Sequence, residues 1–188
     1  MTTTVLTIII AVLVLAVGLF VLRAAPSVRA YARFKGKRLV TCPETNRAAA
    51  VDVAAGEAAI GAFLNEPTLR LVECSRWPER QGCGQDCLKQ VEIDSENCLV
   101  WNIVAKWYEG KKCVFCHKPI ALHHLDHAPA LLGPDFKTAE WKDVRPEQLP
   151  DIFATHQPVC WNCHVAEAFR RLHPELVTDR PLEPKRMM

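Results

Sequence analysis

Two stretches of the chain, Cys113-Val114-Phe115-Cys116-His117 and Cys160-Trp161-Asn162-Cys163-His164, share the spacing C-x-x-C-H. Cysteines three apart bring two sulfurs round one turn toward a common point, where thiolates bind a soft divalent cation. Two such turns complete the closed four-sulfur shell of a structural zinc, so Cys113, Cys116, Cys160 and Cys163 are the first candidate site. The histidine after each pair opens a second chemistry. Each pair could form thioethers to a haem c, with His117 and His164 as proximal ligands and His123, His124, His127, His156 or His173 as distal ones. Methionine cannot serve, because the only three are Met1, Met187 and Met188.

The compartment separates these chemistries, since thiols bind metals in a reducing cytoplasm whereas haem attachment belongs to the far side of the membrane. Val5 to Leu22 is an uncharged apolar run long enough to cross a bilayer. No charged side chain precedes it, which reads as an uncleaved anchor rather than a signal peptide, although Ala24, Ala25, Ala30 and Ala32 offer small residues for cleavage. Arg23, Arg29, Arg33, Lys35, Lys37 and Arg38 follow the span closely, and this bias places the C-terminal part in the cytoplasm by the positive-inside rule. The expectation is a single-pass protein of the inner (cytoplasmic) membrane. Under the haem reading the domain would face the periplasm.

Residues 39–188 hold 17 Lys plus Arg against 21 Asp plus Glu, a balance of minus four, so the overall +2 resides beside the span. Broad nucleic-acid binding needs a basic footprint, so none is expected of the acidic part. The basic segment 23–38 suits anionic lipid headgroups. The expected partners are therefore membrane lipid, through Val5–Leu22 and the basic linker, and a protein whose identity the sequence does not reveal.

Five further cysteines, Cys42, Cys74, Cys83, Cys87 and Cys98, form a possible second metal site for zinc or an iron-sulfur cluster. Cys83 and Cys87 would share a face if the segment around them is helical, and Cys42 could replace any of the others. Cys98 and Cys74 are also readable as small buried apolar side chains.

These residues need a scaffold. Residues 37–53 read as strand, turn and strand, with Pro43 to Asn46 supplying the turn. A further strand at 68–74 would put Leu69, Leu71 and Glu73 on one face and Arg70, Val72 and Cys74 on the other. Residues 94–110 read as one helix, capped by Asp94 or Ser95, with Leu99, Val100, Ile103, Val104 and Trp107 on its core face and Gly110 at its end. A last helix runs from about Cys163 to Arg171, and the stretch from Leu131 to Pro150 reads as loop with short elements. Pro26 is expected to end the spanning helix.

The fold class is thus α+β: an N-terminal transmembrane helix, then a small cysteine-rich domain with an antiparallel sheet, helices and a metal-pinned region. The expected segments are a tail 1–4, a span 5–22, a linker 23–38, an α+β part 39–110, a metal-binding region 111–175 and a flexible tail 176–188. Residues 111–172 resemble treble-clef and zinc-ribbon proteins, in which one C-x-x-C turn faces another at the start of a helix. The C-x-x-C-H pair also resembles the haem sites of c-type cytochromes. The order C-x-x-C, Asp126-His127, C-x-x-C-His further resembles the HNH nucleases, a likeness that implies His127 as general base and His164 as a possible metal ligand. His123, His124 and His127 could add metal ligands. Three functions follow as expectations: a membrane-anchored zinc scaffold or partner-binding module, a dihaem electron carrier, or a metal-dependent nuclease.

Overall fold

The computed structural model describes residues 2–64, 68–79, 82–120 and 129–177, so His123, His124, Asp126, His127 and the tail after residue 177 lie outside the described residues. The chain divides into two compact units, 1–99 and 100–188.

The first unit begins with α1, Thr2–Phe34, whose apolar window has a mean hydropathy of 3.3 and no buried share, long and apolar enough to cross a membrane. Pro26 lies inside α1 and does not end it. Proline removes one backbone hydrogen bond, and tertiary contacts beyond it hold the helix. The Arg33 carbonyl accepts from Ser95 Oγ at 2.9 Å and from the buried Arg38 guanidinium. Arg33 itself donates to the Glu92 carbonyl at 3.0 Å, and Phe34 packs on the core. Segment 23–38, expected as a linker, is therefore helical as far as Phe34.

The expected hairpin is present as β1, Arg38–Cys42, paired antiparallel with β2, Arg47–Val53. β3, Leu71–Cys74, adds to the other edge of β2. Its simple alternation fails. Cys74 pairs with Val51 and Leu71 with Val53, leaving Val72 as an extra residue that returns Cys74 to the core side with Leu69 and Leu71. Between β2 and β3 lies a helix the periodicity did not announce, α2, Ala55–Leu64, packed on α1 with Ala58 and Gly61 buried. Two short helices, α3 (Leu88–Ile93) and α4 (Ser95–Cys98), complete the unit, and Val40, Ala49, Val51, Val53, Leu88 and Val91 fill its core.

The single helix expected over 94–110 is two. Asp94 caps α4 by accepting from the Asn97 amide at 3.1 Å, but Leu99 turns extended and bridges Arg38 at the start of β1. The helix restarts as α5, Val100–Tyr108, in the second unit, and Gly110 at φ +71° ends it. The break marks the boundary between units.

In the second unit β4 (Ala130–Leu132) lies between β5 (Thr138–Ala139) and β6 (Gln157–Val159), and α6 (Leu149–Thr155) and α7 (Trp161–Leu172) frame them. Gly133 sits at the β4–β5 turn, where a Cβ would meet Asp135 Oδ1 at 2.7 Å and make that side chain move aside. Tyr108 pins α5 to this sheet: its hydroxyl donates to the Ala130 carbonyl at 2.6 Å and accepts from Trp141 Nε1 at 3.0 Å. Around it Trp107, Trp141 and Phe153 pack edge-on and stacked, with ring centroids 4.8 to 6.2 Å apart.

Candidate metal centre

Each half of the centre is built locally. After α5 the chain folds into a tight turn: the Cys113 amide donates to the Lys118 carbonyl at 3.0 Å and the His117 amide to the Cys113 carbonyl at 2.9 Å. His117 pays for this turn with φ +58°, the left-handed backbone that glycine adopts freely. The second half follows β6, which delivers Cys160 to the N-cap of α7 and puts Cys163 in its first turn. Here the residue after the second cysteine is helical, so His164 carries no such strain. A backbone bond fastens the halves together, from the Val114 amide to the Pro158 carbonyl at 3.0 Å.

The outcome is convergence. One ligand atom from each of Cys113, Cys116, Cys160 and Cys163 lies within 4.8 Å of all the others. A tetrahedral ion with bonds of about 2.3 Å sets its sulfurs about 3.8 Å apart, and Cys116 Sγ lies 3.8 Å from Cys160 Sγ. Val114, Phe115, Ala130, Leu132 and Val159 pack around the thiols, of which Cys113 and Cys163 are buried and Cys116 and Cys160 half-buried. Among the described residues, this is the one group of three or more such side chains already at metal-holding distance.

Burial pushes the Cys113 thiol up, yet the N–H groups of Cys116, Cys160 and Phe115 outweigh it and draw it down to about 7. The Cys160 and Cys163 thiols are raised, burial being the main cause in both. A set with one ready thiolate and two reluctant thiols, gathered within 4.8 Å, is compatible with a metal ion that displaces the protons.

The two histidines stand apart from the sulfur group. His117 is exposed. His164 is buried in α7, with Nε2 3.6 Å from Glu140 Oε1 and its ring 5.3 Å from Trp161. His156 donates or accepts at Nδ1 with Thr155 Oγ1 at 2.8 Å; because that hydroxyl gives its proton to the Asp151 carbonyl, the imidazole is the donor. His173 lies 3.4 Å from Glu175 at the surface.

The remaining five cysteines occupy five places: Cys42 ends β1, Cys74 ends β3, Cys83 lies in irregular chain, Cys87 precedes α3 and Cys98 ends α4. Cys83 and Cys87 do not share a helix face, because α3 starts only at Leu88. Burial, then the neighbouring thiols of Cys74, Cys83 and Cys42, push the Cys87 thiol up to about 11. Cys98 has other neighbours; its Sγ lies 3.7 Å from the Gln90 carbonyl, and Asp94 and Arg38 are the charges it senses.

Comparison with known proteins adds no identity: no family model matches the chain, and neither does any curated protein or solved structure.

Proposed function

We propose that this is a single-pass, membrane-anchored zinc protein whose C-terminal part lies on the cytoplasmic side and serves as a scaffold or partner-docking module. The observation that carries the reading is the meeting of four sulfurs from two C-x-x-C turns at one point. A knuckle facing the first turn of a helix suits a treble-clef-like zinc site, and the role of such a closed sulfur shell is structural. Two porphyrins, each bonded to one pair, would force the pairs apart, so the convergence favours one ion over two haems.

Membrane attachment is supported by α1 and by α2 beside it. Because β1 and β2 pair with Arg38 opposite Val51, the start of α2 lies near the end of α1, and α2 runs back along it toward the apolar segment. Its far end presents Ile60, Phe63 and Leu64 to the surroundings, 63%, 50% and 61% exposed, where the bilayer interface would begin. The cations after Leu22 support cytoplasmic placement. A docking role is supported by α7, on which Val165, Phe169 and Leu172 recur at helical spacing and are all exposed.

The full chain purified in detergent is expected to be colourless and to hold zinc that Cys113→Ser loses. A Soret band that survives acid-acetone extraction would replace this reading with the dihaem one. A reporter fused after Met188 is expected to act on the cytoplasmic side only, and periplasmic activity alone would reverse the sidedness.

A further inference from the structure

The geometry points to a second four-thiolate site in the first unit, formed by Cys42, Cys74, Cys83 and Cys87 and suited to a soft divalent cation of the zinc class, with Cys98 outside it. Three features bring these residues toward one another, and one sets Cys98 aside. Cys42 and Cys87 belong to one buried cluster against which both Cys74 and Cys98 pack. Cys74 and Cys83 line one cavity of about 710 Å³ with Trp77, Pro78 and Gln85. The extra residue Val72 puts Cys74 on the core side of β3, where strict alternation would have turned it away. Cys98 packs on the same cluster, but its sulfur lies against the Gln90 carbonyl and the charges it senses are Asp94 and Arg38, whereas the thiols that Cys87 senses are Cys74, Cys83 and Cys42.

The strongest feature is a repeated turn. In Cys42–Asn46 the Asn46 amide donates to the Cys42 carbonyl at 2.8 Å and Asn46 has φ +51°; in Cys113–His117 the equivalent bond is 2.9 Å and His117 has φ +58°. In both, the sulfur of the first cysteine receives the N–H groups two and three residues on, Glu44 and Thr45 in one and Phe115 and Cys116 in the other. Thr45 stands where Cys116 stands, so the Cys42 turn offers one sulfur instead of two. Three more must come from elsewhere.

Cys83 is presented in a related way. The Gln85 amide donates to Cys83 Sγ at 3.3 Å, and Gln85 is held at φ +59° by its own side chain, whose Oε1 accepts from the Leu71 amide at 3.0 Å. A non-glycine residue in left-handed backbone costs energy that the surroundings must supply, and here the effect is to aim an N–H at a thiol sulfur. The four sulfurs are less tightly gathered than those of the second unit. Cation binding would draw the Cys74 and Cys83 segments onto Cys42 and Cys87, coupling metal to local folding.

The test is metal content and thiol protection of the full chain, purified in detergent under reducing conditions and reloaded with zinc alone. Two ions per chain are expected, one lost in Cys83→Ser with the other kept, the reverse in Cys113→Ser, and both kept in Cys98→Ser. Eight thiols should resist alkylation until a chelator is added, with Cys98 the one reactive position. The proposal is overturned if Cys83→Ser binds as much zinc as the parent, or if Cys42, Cys74, Cys83 and Cys87 alkylate equally fast with and without zinc. A brown chromophore lost in Cys83→Ser would overturn the divalent-ion assignment. Because the two sites are read by different variants, failure here leaves the Cys113 centre standing, and the converse holds too.

Discussion

The two units present cysteine in opposite ways. In the second, four thiols arrive as two local pairs, each shaped by its own turn, and the sheet needs only to bring two ready-made halves face to face. In the first, the thiols come singly from a strand end, a second strand end, irregular chain and the residue before a helix, so no two share one local turn. Local pairs make a site that announces itself in sequence. Scattered ligands make one that tertiary structure must create.

The largest effect that sharpens this contrast is metal removal. Closing the 43 residues between Cys116 and Cys160 costs about 3 kcal/mol in chain entropy, against the order of 10 kcal/mol that structural zinc contributes. Chelation, or Cys113→Ser, should therefore unfold the second unit, seen as lost helical circular dichroism and proteolysis between residues 100 and 177. The sheet of β1, β2 and β3 should survive Cys113→Ser; if it melts as well, the units are not energetically separate.

Acidification comes next. A thiol held down to about 7, as Cys113 is, is a thiolate above that pH, and its favourable hydrogen bonds are lost as pH falls through it. Zinc affinity should fall with decreasing pH and fall more steeply below about 7, where Cys113 too must be stripped of a proton. Competition with a chromophoric chelator across pH 6 to 8 (about one unit either side) measures this. A pH-independent affinity would contradict the thiolate account.

Two single substitutions probe the scaffold. Tyr108→Phe leaves the Ala130 carbonyl and the Trp141 indole N–H buried without their partner, at about 1–3 kcal/mol, and should lower the melting temperature of the zinc-loaded protein without changing zinc stoichiometry. His117→Gly should act the other way and raise stability by about 1 kcal/mol, because φ +58° suits glycine. If that variant instead loses zinc or stability, His117 serves the centre and not merely the turn.

Much of the centre was legible because it is local. The spacing of Cys113 with Cys116 and of Cys160 with Cys163 carries its own geometry, and so do the β1–β2 hairpin and the helix that begins beside Cys160. Where the reading went astray, distant contacts had overruled local preference. Pro26 did not end α1 because Ser95, Arg38 and Glu92 grip the turn beyond it. Leu99 left the helix because it pairs with Arg38. α2, rich in alanine and glycine, lacks a strong apolar stripe, and the three strands of the second sheet are two or three residues long, too short for alternation to show.

Composition and spacing by themselves determined that the chain carries one apolar helix able to span a membrane and two cysteine pairs able to share an ion, since both depend on residues within a few positions of each other. Only the folded chain decided that the pairs meet each other and that Val72 turns Cys74 toward the core side of its strand. The reason is physical: contacts between residues tens of positions apart depend on strand register, a bulge and buried side-chain hydrogen bonds, and none of these leaves a periodic mark in the sequence.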